Sequence, residues 1–241
     1  MKACLKLLSA VALALVLLEG SSRAEFLYVA NGGSVSAYGI GPNGALTPVP
    51  GSPFPAVNGA VAVAVDPWGR FVYVTGNNSI SAYHVAGNGA LTPVPGSPFP
   101  AANGAYSALA VDFFGRFVYV ANVSSNNISA YHIGLTGALT AVPGSPFPAG
   151  SNPLCVAVNS LGRSVYATIA ISNNVSAYRI GANGALTPIP GSPYATHLGS
   201  NPNSVAVDFL GRFAYVVTND PIGNLLAYQI GANGALPRVV L

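Results

Sequence analysis

Side chains able to move a proton, bind a metal ion or attack a carbonyl are few in this 241-residue sequence: three His, six acids and two Cys, beside nine Lys and Arg. Acid–base chemistry needs a His or carboxylate within hydrogen-bond reach of the reacting group, so each can be weighed in turn. His84 and His132 share one recurring position, taken by Arg179 and Gln229 further on, and nothing near them has metal-ligand spacing. Asp66, Asp112 and Asp208 each stand four residues before an Arg (Arg70, Arg116, Arg212), with Asn159 and Arg163 as the fourth member. A residue recurring in this way is read as structural. Gly39 to Gly44 fits G-x-G-x-x-G, but Pro48 and Pro50 follow where a dinucleotide site needs a helix. No cofactor is implied. Outside the recurring set stand Glu25, Trp68, Tyr106, Cys155, Tyr194, His197, Asp220 and Arg238.

These residues are positioned by a repeat that covers nearly everything after residue 25. Gly-Arg returns at Gly69, Gly115, Gly162 and Gly211, with periods of 46, 47 and 49 residues. Ser-Ala-Tyr ends at Tyr38, Tyr83, Tyr131 and Tyr178, and Leu-Ala-Tyr at Tyr228. Gly-Ala-Leu begins at Gly44, Gly89, Gly137, Gly184 and Gly234, and Pro-Gly-Ser-Pro at Pro50, Pro95, Pro143 and Pro190.

In the second unit, Val61 to Val65 is apolar throughout, as a strand covered on both faces should be. Asp66 to Arg70 is a turn, with Asp to accept backbone N–H groups and Gly69 free to turn left-handed. Phe71 to Val74 and Ile80 to Val85 are β-branched and aromatic strands joined through Gly76-Asn77-Asn78, and Asn88-Gly89 turns into Leu91 to Val94. Pro95 to Ala101 reads as a stiff connector outside any ladder. Four strands in about 45 residues is the pattern of a propeller blade. The fold class is therefore all-β, a β-propeller of four-stranded blades. Five units are expected over 25–55, 61–100, 107–148, 154–195 and 203–241, giving 19 strands. The first unit begins at its second strand, Phe26, so the propeller is left incomplete or open, with blade edges through which it could self-associate.

Residues 1–24 read as a signal peptide: Lys2 and Lys6, an apolar run from Leu7 to Leu18, and Ser22-Arg23-Ala24 before a cut. The run is shorter than the ~20 residues of a membrane span, so no span is expected in the mature chain, residues 25–241. A periplasmic or extracellular location follows. Cleavage leaves six Arg, no Lys and five acids, a net charge of +1 rather than the +3 of the whole chain. Nucleic acid is excluded as a partner for want of a basic cluster. Cys155 is the one cysteine left, so no disulfide can form within the mature chain.

Tyr-Val-Ala-Asn at 28–31 and 119–122, Tyr73-Val74-Thr75-Gly76, and the D-x-x-G-R-F-x-Y-V segments at 66–74, 112–120 and 208–216 resemble the YVTN repeat of lactonase-like β-propellers, the group that includes 6-phosphogluconolactonase-like proteins. Seven blades are usual in that family, and five units fit here. The resemblance implies that connectors between blades and hairpins between second and third strands share one rim of the central channel, where ligands bind. His197 lies in the longest connector and Asp220 in an extended hairpin of the next blade, which makes them the candidate catalytic pair for attack on a lactone carbonyl. Asn58, Asn103, Asn152 and Asn201 lie in connectors and make the candidate ligand-binding set, suited to a small polar ligand by their hydrogen-bonding groups. With a single Glu in the mature chain, at its N-terminus, and no Arg expected at that rim, the sequence favours a module binding a polar ligand or a protein partner, and lactone hydrolysis is the alternative.

Overall fold

The computed structural model describes residues 13–16, 25–102, 108–220 and 225–239, and the described residues form strands and turns with no helix. Five antiparallel sheets follow one another along the chain, as the repeat predicts. The second blade shows the plan: Ala62–Val65, Phe71–Gly76, Ser79–Val85 and Leu91–Pro93 run inside to outside, each paired with the next. The third and fourth blades follow it with Leu109–Val111, Phe117–Asn122, Asn127–Ile133 and Leu139–Ala141, then Pro153–Val158, Ser164–Ile169, Asn174–Ile180 and Leu186–Pro188. The fifth has Pro202–Val207, Phe213–Thr218 and Leu225–Gln229, with Arg238 bridging to Tyr228 at the outer-strand place.

Two expectations are corrected. The proline-rich connectors do pair: Phe99–Pro100, Phe147–Pro148 and Tyr194–Ala195 each return to the start of the third strand of their own blade, after a cis Ser–Pro bond. A two-residue pairing needs too few backbone donors for the prolines to spoil it. The Ser of each Pro-Gly-Ser-Pro accepts a third-strand N–H as well, Ser97 Oγ from Ala82 at 2.9 Å and Ser145 Oγ from Ala130 at 2.9 Å. The first blade also has an inner strand. Leu13–Val16 pairs antiparallel with Phe26–Val29, beside Glu25–Ala30, Gly32–Ile40 and Leu46–Pro48. This apolar run has the composition of the other inner strands, so the same backbone slot takes it. The cleavage segment at residues 22–24 lies outside the described residues.

The core lies between blades, and one junction recurs. The second-strand Tyr of each blade donates its hydroxyl to the carbonyl of the Gly-Ala-Leu glycine in the next: Tyr28 to Gly89 (3.0 Å), Tyr73 to Gly137 (3.0 Å), Tyr119 to Gly184 (3.1 Å) and Tyr166 to Gly234 (3.0 Å). The second-strand Phe of the earlier blade lies flat where a glycine Cβ would project, so Gly137, at φ +83°, accommodates Phe71 as no other residue can. At the two ends of the series the junction is half made. Tyr215 is 39% exposed where Tyr119 is fully buried, and Leu46 is 49% exposed where Leu139 is 7%. What the ends leave open is therefore blade faces: Phe209, Leu210, Tyr215, Val217 and Leu225 on the last blade. The architecture is an open propeller.

Candidate functional site

The antiparallel pairing sorts chemistry to the two ends of the strands. At one end lie the turns from first to second strand, each fixed by its Asp. Asp66 Oδ1 accepts the Arg70 and Phe71 N–H groups (2.5 and 2.8 Å) and Oδ2 meets Arg70 Nε at 2.9 Å. Asp112 repeats this with Arg116 at 3.2 Å, and Asp208 with Arg212 at 3.6 Å. Phe213 N–H and the neighbouring turn amides hold the Asp208 carboxyl below its usual range. The six arginines of residues 25–241 all lie at this end: Arg179 stands opposite Ser164, and Arg238 opposite Tyr228.

The other end holds the hairpins and connectors, and it brings His197 and Asp220 together. His197 Nε2 lies 2.8 Å from Asp220 Oδ2, with the carboxylate almost fully buried and the imidazole about one-third exposed. The local sequence explains the geometry. Thr196 Oγ1 and Ser200 Oγ, both buried, meet at 2.5 Å across the base of the loop, and Ser200 N–H reaches back to the His197 carbonyl at 3.1 Å. His197, Leu198 and Gly199 (φ +76°) are thus pinched out as a tight turn. The hairpin of the preceding blade grips the loop through Asn173: its Oδ1 accepts the Asn201 N–H (2.9 Å), and its carbonyl accepts the Thr196 hydroxyl (2.7 Å). From the fifth blade, Asn219 N–H bonds the Ser200 and Asn201 carbonyls, which carries the next residue, Asp220, beneath the imidazole. Buried Thr218 donates its hydroxyl to Asp220 Oδ2 at 3.1 Å.

A carboxylate only accepts, so Nε2 carries the hydrogen and Nδ1 is the nitrogen available to a ligand or water. The other two His are not built this way. His84 and His132 set their rings edge-on to Phe71 and Phe117 at 5.7 and 5.8 Å.

The connector asparagines occupy the same end, with their backbones committed to it. Asn152 and Asn201 sit at φ +66° and +46°, a region Asn tolerates better than most residues. The Asn152 carbonyl accepts from Ala170 N–H and the Asn201 carbonyl from Asn219 N–H, while Asn58, lacking the positive φ, accepts from Asn77 N–H. The Asn58 and Asn201 side chains are exposed and Asn152 is half-buried; Asn103 lies outside the described residues. The sequence reading missed the grip of Asn126 and Asn173 on the connectors, where Asn126 Oδ1 takes the Asn152 N–H at 2.8 Å. Their recurrence before a second Asn, at 126–127 and 173–174, was the available signal. Among the described residues no three His, Cys, Asp or Glu side chains gather as a metal site, and no helix is long and apolar enough to cross a membrane.

Known proteins place this architecture. The solved structure of a functionally unknown protein from Desulfotomaculum acetoxidans superposes with a TM-score of 0.75 at 15% identity, over 89% of this chain and 65% of that one. A 6-phosphogluconolactonase candidate from Bacteroides uniformis gives 0.74 at 16%, covering 93% and 69%. The periplasmic gluconolactonase of Pseudomonas aeruginosa gives 0.73 at 17%, covering 95% and 71%. The chain thus spans about two thirds of the length of these structures, and at such identities the likeness is one of fold. No curated protein sequence matches it. The sequence profile of the lactonase family of seven-bladed β-propellers matches residues 44–147 and 92–197. Five blades, the junction repeated between them and this match together make the chain a member of the lactonase β-propeller family.

Proposed function

We propose that the protein hydrolyses a lactone at the rim that carries His197 and Asp220, and that it works outside the cytoplasm. The observation carrying this reading is the 2.8 Å contact between His197 and a buried carboxylate that Thr218 also holds. Asp220 keeps Nε2 protonated, so Nδ1 takes a proton from water as the water oxygen attacks the lactone carbonyl carbon. The carbonyl oxygen becomes an oxyanion, for which the exposed side-chain amides of Asn201, on the same connector, and Asn203, in the strand that follows it, are donors close in sequence. Collapse breaks the ring C–O bond, and the imidazolium returns its proton to the leaving alkoxide, giving a hydroxy acid. Membership of the lactonase family supports the substrate class, and the basic start and apolar run of residues 1–24 support export, with the inner strand Leu13–Val16 leaving the first blade on cleavage.

The binding-module reading rested on the scarcity of charge and on the connector asparagines, three of which use their backbone to tie blades together. Proton release from a panel of aldonolactones, corrected for buffer hydrolysis, tests the proposal. His197→Ala should lower kcat/KM by about 10²- to 10⁴-fold, the usual contribution of a positioned acid–base group, and Asp220→Asn by a smaller factor with the fold intact. No turnover above buffer overturns hydrolysis, and turnover surviving both substitutions overturns the site.

A further inference from the structure

The fourth blade departs from its sisters at three places that meet in space. In the second, third and fifth blades the turn arginine has two partners. Arg70, Arg116 and Arg212 each face their Asp and also cover the second-strand Phe, with the guanidinium carbon 5.2, 5.3 and 5.6 Å from the centres of Phe71, Phe117 and Phe213. The fourth blade has Asn159 for the Asp and Ser164 for the Phe. The Asn159 side chain still orders the turn, accepting the Arg163 N–H at 3.0 Å, but Arg163 meets neither carboxylate nor ring among the described residues. The third change is opposite Ser164, where Arg179 replaces the His of the second and third blades.

Removing a Phe ring and adding an Arg leaves a cleft of about 300 Å³ between the fourth and fifth blades, lined by Arg163, Ser164, Arg179, Ile180, Ala232 and Asn233. Asn233 Oδ1 is taken by the Ala235 N–H, so the group it can offer is its NH₂. The cleft presents two exposed guanidiniums, a hydroxyl and an amide donor. Asp66, Asp112 and Asp208 are engaged by their own arginines, Asp220 by His197, and Glu25 belongs to the first blade. Two like charges flanking one hollow repel each other until an anion stands between them, and the planar fork of each Arg suits the paired oxygens of a carboxylate or phosphate.

We propose that this cleft binds the oxyanion group of a small molecule, carboxylate or phosphate monoester, with Arg163 and Arg179 as its charged ligands and Ser164 and Asn233 as neutral donors. It lies at the opposite end of the strands from His197, so it is a second site. Its volume is at the lower end of small-molecule pockets, which fits an acidic monosaccharide.

Calorimetric titration of the full chain at low salt with glucuronate and with glucose 6-phosphate, and with glucose as the neutral control, tests this. One saturable site is expected for at least one anion and none for glucose; which anion binds more tightly separates carboxylate from phosphate. Arg163→Gln and Arg179→His should each weaken binding at least tenfold, and His197→Ala should leave it unchanged. The Ser164→Phe, Arg179→His, Ile189→Val triple variant, which also trims the Ile189 side chain that stands against Gly234 where the sister blades place their Phe, rebuilds the sister blades' Phe–His contact and should abolish binding while the thermal midpoint holds or rises, which separates loss of the site from loss of the fold. Absence of saturable binding for both anions, or affinity retained in Arg163→Gln, Arg179→His, overturns the proposal.

Discussion

Tyr119→Phe and Tyr215→Phe delete the same atom from the same place in two blades, and the junction between blades predicts opposite results. Tyr119 is fully buried and donates to the buried Gly184 carbonyl at 3.1 Å. Phe keeps the ring, so packing is held constant and the carbonyl is left without that donor. A buried acceptor deprived of its partner costs about 1–3 kcal/mol, about 5- to 150-fold in the unfolding equilibrium at 1.4 kcal/mol per decade. Tyr215 occupies the same position in the last blade, where no described blade follows to offer a carbonyl, and it is 39% exposed. Its substitution should stay within about 0.5 kcal/mol, as for ordinary surface sites. Urea unfolding followed by tyrosine fluorescence reads the difference. With m of about 2–3 kcal/mol per M, near the upper end for small proteins, the midpoint should fall by about 0.3–1.5 M for Tyr119→Phe and by no more than about 0.25 M for Tyr215→Phe. Equal shifts would refute the idea that the Tyr-to-Gly bond between successive blades is a unit of stability.

Other outcomes follow from the same contacts. Leu139→Ala should cost about 2–5 kcal/mol as a buried deletion, while Leu46→Ala, at the uncovered first blade, should cost under about 1 kcal/mol by the same denaturation. Gly137→Ala adds a Cβ into the Phe71 ring at φ +83° and should lower stability by at least ~2 kcal/mol, through strain and overlap together. Burial pushes the Tyr166 hydroxyl up to about 12 and holds Tyr28, Tyr73 and Tyr119 still higher. Their unfolded forms lose a proton near pH 10 and the folded forms do not. Stability is therefore whole below pH 10 and should decline by about 5 kcal/mol per pH unit between pH 10 and 12 if all four behave alike, read by alkaline unfolding against tyrosinate absorbance.

The blade plan was legible in the sequence because it repeats. Turn residues such as Asp66 and Gly69, and strands such as Val61 to Val65, act through local backbone preferences that any copy of the motif restates. The role of Asp66 and Asp112 as turn anchors paired to arginine could be read in the same way. The pairing of the proline-rich connectors and the inner strand at Leu13–Val16 could not, since both depend on backbone partners many residues away. His197 and Asp220 were singled out by not repeating, and their meeting at one rim was expected from the resemblance; the distance of 2.8 Å and the hold of Thr218 on the carboxylate come only from the folded loops.

The sequence by itself determined the five-unit β architecture, the membership in a lactonase-like group and the identity of the few side chains free of structural duty, since each is a matter of period and residue type. The tertiary structure alone decided which of those side chains share an environment. Asn159 and Arg179 each read as an ordinary drift from the repeat; only strand register and the packing of the fifth blade against the fourth put their consequences, with Ser164, around one cleft. A hydrogen bond or a cavity is set by distance in space, and in this fold such distances span separations of 20 to nearly 70 residues that no local pattern records.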